Sequence, residues 1–227
     1  GVGVDSFGWL KHLRYYWEQG EAQDAETGGT CIVRQINARF TYGFEYIGES
    51  CCRPITAATE RCWVTMCQAS QLRLGTAVGG PSCSGKTQTV KDLAKAIAVL
   101  CMVVGCNAQV SCAMMCRLIS GLVQQGCWFC WDELDRVSNE VLGVMAEQLN
   151  KVRQAVLVGQ ESLELDGAIL PLRTGVSFCV TLSPCSMSWL DLPSNLKSLL
   201  RPITMPVPDY GRIGEILLCA EGFHESS

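Results

Sequence analysis

The octapeptide Gly80-Pro81-Ser82-Cys83-Ser84-Gly85-Lys86-Thr87 matches the pattern G-x-x-x-x-G-K-[ST] in full. A loop of this kind holds phosphates. Its glycines let backbone N–H groups curl around phosphate oxygens, and the helix that follows offers its positive N-terminus. Lys86 then neutralises the β and γ phosphates, and Thr87 holds Mg2+. A chance Gly/Ser turn before a helix is the alternative, and the strand-loop-helix setting with both Lys86 and Thr87 in place weighs against it.

The apolar run Trp128-Phe-Cys-Trp131 ends in two carboxylates, Asp132 and Glu133, placed 46 and 47 residues after Lys86. That interval holds two helices and one strand. In an open parallel sheet, ligands bind at the carboxyl ends of the strands, so Asp132 should emerge beside the phosphate loop. Asp132 then suits Mg2+, directly or through water, and Glu133 suits the polarisation of an attacking water. The competing reading, a solvated helix start, loses weight once the loop is counted.

Two further residues are candidates with open alternatives. Ser183 stands at the end of the strand 176–182, where it either orients the water or simply starts the turn at Ser183-Pro184. Arg201 follows an apparent helix over 194–200, where it either reaches a neighbouring subunit's nucleotide or favours the helix C-terminus. Metal and redox chemistry is disfavoured elsewhere. Cys127-Trp-Phe-Cys130 is a C-x-x-C without Gly or Pro to shape a knuckle, and a second pair at zinc-site spacing is missing. His12 and His224 lie near opposite ends, which disfavours a histidine-based cluster.

These groups need a scaffold to bring them together. A helix is expected over 58–72, a strand up to Gly79, then a helix over 86–98. The run 99–105 reads as a buried strand, 111–124 as a helix, and 127–131 as the next buried strand. Val137, Val141, Met145, Leu149, Val152 and Val156 recur at helical spacing and form one face of a long helix. Gly159 and Asp166-Gly167 mark a hairpin before the strand at 176–182. Strands alternating with helices of this length predict an α/β fold with a parallel sheet covered on both faces. Ahead of it, Phe7, Trp9, Leu10, Leu13, Tyr16 and Trp17 are spaced like the stripe of a helix, and residues 18–30 read as an exposed connector.

Composition sets the outer bounds. The 227 residues are 48% hydrophobic and 18% charged, as expected of a folded globular chain rather than a disordered or fibrous one. The net charge of -4 gives no global reason to bind nucleic acid or an anionic membrane. The longest apolar run, 96–106, is half of the roughly 20 residues a spanning helix needs, and the N-terminus has no basic-then-apolar leader, so the chain reads as soluble and unsecreted. Fifteen cysteines in 227 residues fall below the roughly 8–10% of disulfide scaffolds, and most are expected to be free, buried thiols.

In this order, the loop Gly80–Thr87, the segment Thr89-Val-Lys-Asp-Leu-Ala-Lys-Ala96, the pair Asp132-Glu133 and Leu192-Pro-Ser-Asn-Leu-Lys197 with Arg201-Pro202 resemble the first AAA+ module of a dynein heavy chain. Leu13-Arg-Tyr-Tyr-Trp17 and Ala38-Arg-Phe-Thr-Tyr-Gly-Phe-Glu-Tyr-Ile-Gly48 are similar to the end of the dynein linker and the approach to that module. Val207-Pro-Asp-Tyr210 and Glu215-Ile-Leu-Leu218 resemble the stretch that closes its large subdomain. The resemblance covers nearly the whole chain. It implies a P-loop NTPase fold of AAA+ type, with residues 1–45 as the end of a linker and connector and 46–227 as the large subdomain, ending before the small helical subdomain.

The resemblance also implies function. The module is the main ATP-hydrolysing site in a ring of six, and its cycle drives minus-end-directed movement along microtubules. ATP or ADP and Mg2+ are the implied ligands, with Lys86 and Thr87 on phosphates and metal, Asp132 supporting Mg2+ and Glu133 activating water. Arg201 falls where an arginine finger is directed at a neighbour's site, and Ile55 and Thr56 lie in the stretch that runs past adenine. The implied partners are the neighbouring AAA+ modules and, through the whole assembly, intermediate and light chains and microtubules. The implied location is the cytoplasm and cytoskeleton, with the cilium or axoneme as a further possibility.

Departures from that family fall where the chemistry is. Cys83 replaces a usual glycine, Ser183 a usual asparagine, Cys185-Ser-Met-Ser-Trp189 the usual Gly-Tyr-Ala-Gly-Arg, and Ala57-Ala58 a usual Pro-Leu. A side chain at 83 crowds a backbone turn that glycine permits, and the serine hydroxyl is shorter than the amide it replaces. They leave nucleotide binding expected and disfavour efficient hydrolysis. The alternative is therefore a nucleotide-binding structural or regulatory module with weak turnover. A small-molecule kinase of the same loop class is disfavoured because no Arg-rich lid segment follows the sheet. The length predicts a fragment or short isoform of a much longer chain.

Overall fold

The computed structural model describes residues 3, 5–19, 29–48, 53–173, 175–183 and 189–223. Most of the expected connector, the residues Pro184 to Ser188 and His224 lie outside the described residues.

The chain opens with a short helix α1 (Phe7–Leu10) and the strands β1 (Arg14–Glu18), β2 (Thr30–Gln35) and β3 (Ala38–Thr41), which form an antiparallel sheet in the order β1-β2-β3. This corrects the expected helix over the first 17 residues. Tyr15, Tyr16 and Trp17 belong to a strand paired with Val33, Ile32 and Cys31, and aromatic residues fit a pleated, half-covered surface as well as they fit a helix face.

The remainder alternates as expected: α2 (Ala57–Gln71), β4 (Gly75–Gly79), α3 (Lys86–Ile97), β5 (Cys101–Gly105), α4 (Cys112–Gln125), β6 (Trp128–Asp132), α5 (Asn139–Val158), the hairpin β7 (Ser162–Leu165) and β8 (Ala168–Pro171), β9 (Ser177–Leu182), α6 (Ser194–Lys197), β10 (Leu200–Thr204) and α7 (Tyr210–Ala220). Local chemistry sets several of these bounds. Thr56 and Ser111 cap α2 and α4 by accepting from the N–H groups of Thr59 and Met114. The turn of the hairpin places Asp166 and Gly167 at positive φ.

Five strands form one parallel sheet in the order β10-β4-β9-β6-β5. Alternation along β6 sorts its side chains to opposite faces. Phe129 and Trp131 join Met115, Ile119, Leu142, Met145, Leu149 and Leu196 on the face covered by α4, α5 and α6. Trp128 and Cys130 join Cys62, Met66, Val90, Leu93 and Ile97 under α2 and α3, and Val33 and Ala38 of the N-terminal sheet extend that same layer. The sheet is therefore an α/β layer covered on both faces, which is the fold class expected.

Two further expectations need correction. The run ending in β5 is not buried. It forms the edge of the sheet, with Met102 44% and Val103 37% exposed. The helix before Arg201 ends at Lys197, and Arg201 lies inside β10, so it cannot serve as a charge on a helix C-terminus. A short apolar run such as Leu199-Leu200 carries no periodicity that separates a last helical turn from a strand.

Among the described residues no helix is long and apolar enough to cross a membrane. The described cysteines are free thiols. Cys62, Cys67, Cys106, Cys127, Cys130 and Cys179 are buried, Cys101 is half-buried, and Cys83 is exposed. Cys127 and Cys130 pack in opposite layers of the sheet, since three residues along a strand reverse the face.

Candidate nucleotide site

β4 is a central strand, and its exit decides where the phosphate loop sits. Met205, leaving the neighbouring β10, donates its N–H to the Gly79 carbonyl at 2.8 Å, and its own carbonyl presses on Gly80. A Cβ on Gly80 would lie 2.5 Å from that carbonyl oxygen, so the first loop position has room only for glycine. Gly80 is thus required by close packing rather than by a positive φ.

Past this point the chain turns and enters α3. Ser84 donates its N–H to the Pro81 carbonyl at 3.4 Å, and Gly85, at φ 84°, is the N-cap of α3. Thr89 fastens the first turn by donating both its N–H and its hydroxyl to the Gly85 carbonyl at 2.8 Å. Ser82 and Cys83 form the exposed crown of the loop. Cys83 holds φ at 60°, the left-handed region where a side chain is strained and glycine is not. The expected conflict is therefore real, and it is met by holding the strained backbone with the cysteine side chain turned to solvent.

Lys86 is buried at 8% exposure, and its ammonium donates to the carbonyls of Gly80 and Pro81 at 2.8 and 2.9 Å. Two of three protons shape the loop, while the positive charge remains inside it. Thr87, one residue on, donates its hydroxyl to Asp132 Oδ1 at 2.5 Å. The loop after β4 and the carboxyl end of β6 are thereby joined, although β9 lies between them in the sheet.

The intervening β9 supplies a residue that the sequence reading missed. Thr181, fully buried, donates its hydroxyl to Asp132 Oδ1 at 2.6 Å and accepts the Glu133 N–H at 2.9 Å. It lies two residues before Ser183 and so on the same side of the strand, which is the signal that could have found it. Asp135 was also missed. It is 8% exposed and accepts the Ser183 N–H at 3.2 Å, which ties the tip of β9 to the turn after β6. Cys106, at the end of β5, records the clustering. Burial first, then the Asp132 and Asp135 carboxylates, push its thiol up to about 11, so it remains neutral there.

Glu133 follows directly, with φ at 56°, and its carboxylate meets Arg136 at 3.1 Å. Both side chains are more than a third exposed, so this ion pair is weak and easily exchanged. The Thr87 hydroxyl and the Asp132 carboxylate are hard oxygen donors already in contact. Mg2+ is commonly held by one or two such protein groups together with substrate phosphates, and this pair fits that donor set.

The remaining candidates separate. Ile55 is exposed and lines a cavity of about 460 Å3 with Trp63, Tyr15, Tyr42, Arg53 and Asp92, which no residue of Gly80–Thr87 lines. Thr56 is the N-cap of α2, accepting from Thr59 at 3.4 Å. Arg201 is exposed on the outermost strand, in register with Thr76, three positions before the level at which β4 releases the loop. The structure thus brings Lys86, Thr87, Asp132, Glu133 and Ser183 to one end of the sheet and leaves Arg201 apart. His12, against Glu60 at 3.4 Å, belongs to the N-terminal region.

Residues 42–227 match the protein family described as the hydrolytic ATP binding site of the dynein motor region. Dynein axonemal heavy chain 1 of Homo sapiens is 39% identical over 226 residues, covering all of this chain and 5% of that protein. Dynein axonemal heavy chain 2 of Mus musculus is 41% identical over 222 residues, 98% of this chain and 5% of that protein. A flagellar inner-arm I1 dynein-1-alpha heavy chain of Chlamydomonas reinhardtii is 38% identical over 222 residues, again 98% and 5%. The chain spans about a twentieth of the length of these relatives.

Proposed function

The chain belongs to the dynein heavy-chain family, as the ATP-binding region of the motor, and from that premise we propose that it binds ATP with Mg2+ and hydrolyses it at the site built on Gly80–Thr87, Asp132 and Glu133. The observation that carries the proposal is the 2.5 Å contact of Thr87 with Asp132, because it joins the loop that holds phosphates to the strand that ends in carboxylates.

The residues divide the work by chemistry. The loop backbone and the N-terminus of α3 receive the phosphates, and Lys86 supplies the countercharge from within the loop. Thr87 and Asp132 would hold Mg2+, which would supply charge neutralisation to the phosphates. Glu133, freed from Arg136, accepts a proton from the attacking water. Ser183, at the tip of β9, is the proposed group that orients the water, and Ile55 and Thr56 are the proposed contacts to the base.

In the wider assembly we place residues 1–45 as the end of a linker and 46–227 as the large subdomain, with Arg201 directed at a neighbouring AAA+ module. The names of the relatives, axonemal and flagellar, support a place in a ciliary dynein. Within it we propose a microtubule-based motor that moves toward the minus end and carries intermediate and light chains. A second reading, a module that binds nucleotide and turns over slowly, is favoured by the strained Cys83 and by the pairing of Glu133 with Arg136.

ATP binding measured with a fluorescent analogue, followed by single-turnover hydrolysis in this chain and in a heavy chain that contains it, separates the two. Binding with turnover supports the ATPase, and binding without it supports the slow module. Absence of binding in folded protein removes both.

A further inference from the structure

The two carboxyl residues of the proposed site sit at the end of one strand, yet neither is oriented by that strand alone. Asp132 Oδ1 receives the Thr87 hydroxyl at 2.5 Å and the Thr181 hydroxyl at 2.6 Å. The Thr181 oxygen in turn accepts the N–H of Glu133 at 2.9 Å. A hydroxyl has one proton to donate and two lone pairs, so one threonine can make both bonds at once. Thr181 is fully buried in β9, and the register pairs of β6 and β9 run only to Trp131 and Val180. Beyond that last rung the backbones part, and the Thr181 side chain replaces the next rung of the ladder.

This matters most for Glu133, whose backbone is held at φ 56°. That torsion is uncommon for glutamate, and the N–H that Thr181 holds fixes the peptide plane from which it turns the rest of Glu133. We propose that Thr181 is a positioning residue for ATP hydrolysis: through one hydroxyl it fixes the direction of the Asp132 carboxylate toward the metal and the backbone turn that aims Glu133 at water, without itself touching nucleotide.

A merely structural Thr181 would be a buried hydroxyl that found two partners, and its loss would lower stability without selecting any step. The test uses Thr181→Val, which keeps the shape and removes the hydroxyl, and Thr181→Ser, which keeps the hydroxyl. The first readout is binding of Mn2+ in the presence of ADP, followed by electron paramagnetic resonance in this chain. Loss of a group that orients a metal ligand is expected to weaken binding about 10-fold in Thr181→Val, with Thr181→Ser near the parent. ADP affinity in EDTA should not change, because no phosphate contact is touched. The second readout is the single-turnover rate constant, expected to fall about 10-fold to 100-fold in the valine variant and to recover in the serine variant.

The inference rests on the reading of this site as an ATPase, and the two fail differently. If the parent chain does not hydrolyse ATP but Thr181→Val weakens Mn2+ selectively, the hydrolysis reading falls and the positioning of Asp132 stands. If Mn2+ affinity in Thr181→Val equals that of the parent, or the serine variant is as impaired as the valine, the proposal is overturned whatever the turnover. Should the valine variant fail to fold, Thr181→Ala carries the same comparison against serine.

Discussion

Thr87 and Asp132 lie 45 residues apart in sequence and meet at 2.5 Å between Oγ1 and Oδ1. One closes the phosphate loop and the other closes β6, and between their strands runs β9, whose Thr181 reaches the same oxygen. Three parallel strands therefore converge on one carboxylate at their common end. A shift of any one of them changes the place of the proposed metal, so the chemistry is tied to the register of the whole sheet.

Lys86 is expected to be essential for nucleotide and secondary for the fold. Lys86→Ala removes the cation and also two bonds to the Gly80 and Pro81 carbonyls. Gly80 is buried, so its carbonyl is left without that donor, and stability should fall by about 1–3 kcal/mol while the fold persists. Nucleotide affinity should fall about 10-fold to 100-fold, the loss of a charge-assisted bond worth ~1.5–3 kcal/mol. Calorimetric titration with ADP checks this, and unchanged affinity in a folded variant would remove the loop from the site.

Glu133→Gln should keep nucleotide binding and lose whatever hydrolysis the parent has, because an amide cannot take a proton from water. It also dissolves the ion pair with Arg136, which is exposed and contributes little. A variant with unchanged melting temperature and parental turnover would take Glu133 out of the role of base.

Cys83→Gly should stabilise the protein by about 1 kcal/mol, since a side chain at φ 60° is strained and glycine is not. Combined with Ser183→Asn, it restores a mobile loop crown and a longer polar reach at the tip of β9. Single-turnover hydrolysis should then rise by about 10²-fold over an Ala-Ala control at the same positions, the effect of one well-placed polar group. Equal rates in the double variant and the parent would mean that these two residues do not limit turnover.

Stability is expected to fall on the alkaline side. Burial first pushes the thiols of Cys62 and Cys101 up to about 12, and that of Cys106 up to about 11, from an ordinary 9.0. Above pH 9 the unfolded chain loses these protons while the folded chain keeps them. The unfolded state then binds fewer protons, and stability declines with rising pH. The contribution is complete below pH 9 and is lost through about pH 11–12. Urea midpoints between about pH 8 and pH 11 test it. A flat profile, or a slope unaltered by Cys62→Ala, would speak against buried thiols as the cause.

The alternation of α2, β4, α3, β5, α4, β6 and α5 was legible because periodicity, caps and turn residues agreed along this stretch. The N-terminal strand β1 was not. Its aromatic residues satisfy helical spacing and strand pairing equally, and the choice fell to β2, which supplies the pairing partners. The helix expected up to residue 200 stopped short for a related reason: what lies after α6 is a strand only because β4 offers Gly75 to Leu200 and Thr76 to Arg201.

For the site itself, the sequence alone determined the groups proposed to carry the chemistry. A glycine-bounded loop with Lys86 and Thr87, and an apolar strand ending in Asp132 and Glu133, are local patterns whose meaning survives without a partner. Tertiary structure decided which other residues join them. Thr181, Asp135 and Cys106 came to the site, Arg201 stayed away from it, and Thr56 was taken up by a helix cap. The physical reason is that hydrogen bonds and burial at the end of a parallel sheet depend on strand order. The order β10-β4-β9-β6-β5 places in contact residues that neither spacing nor composition connects.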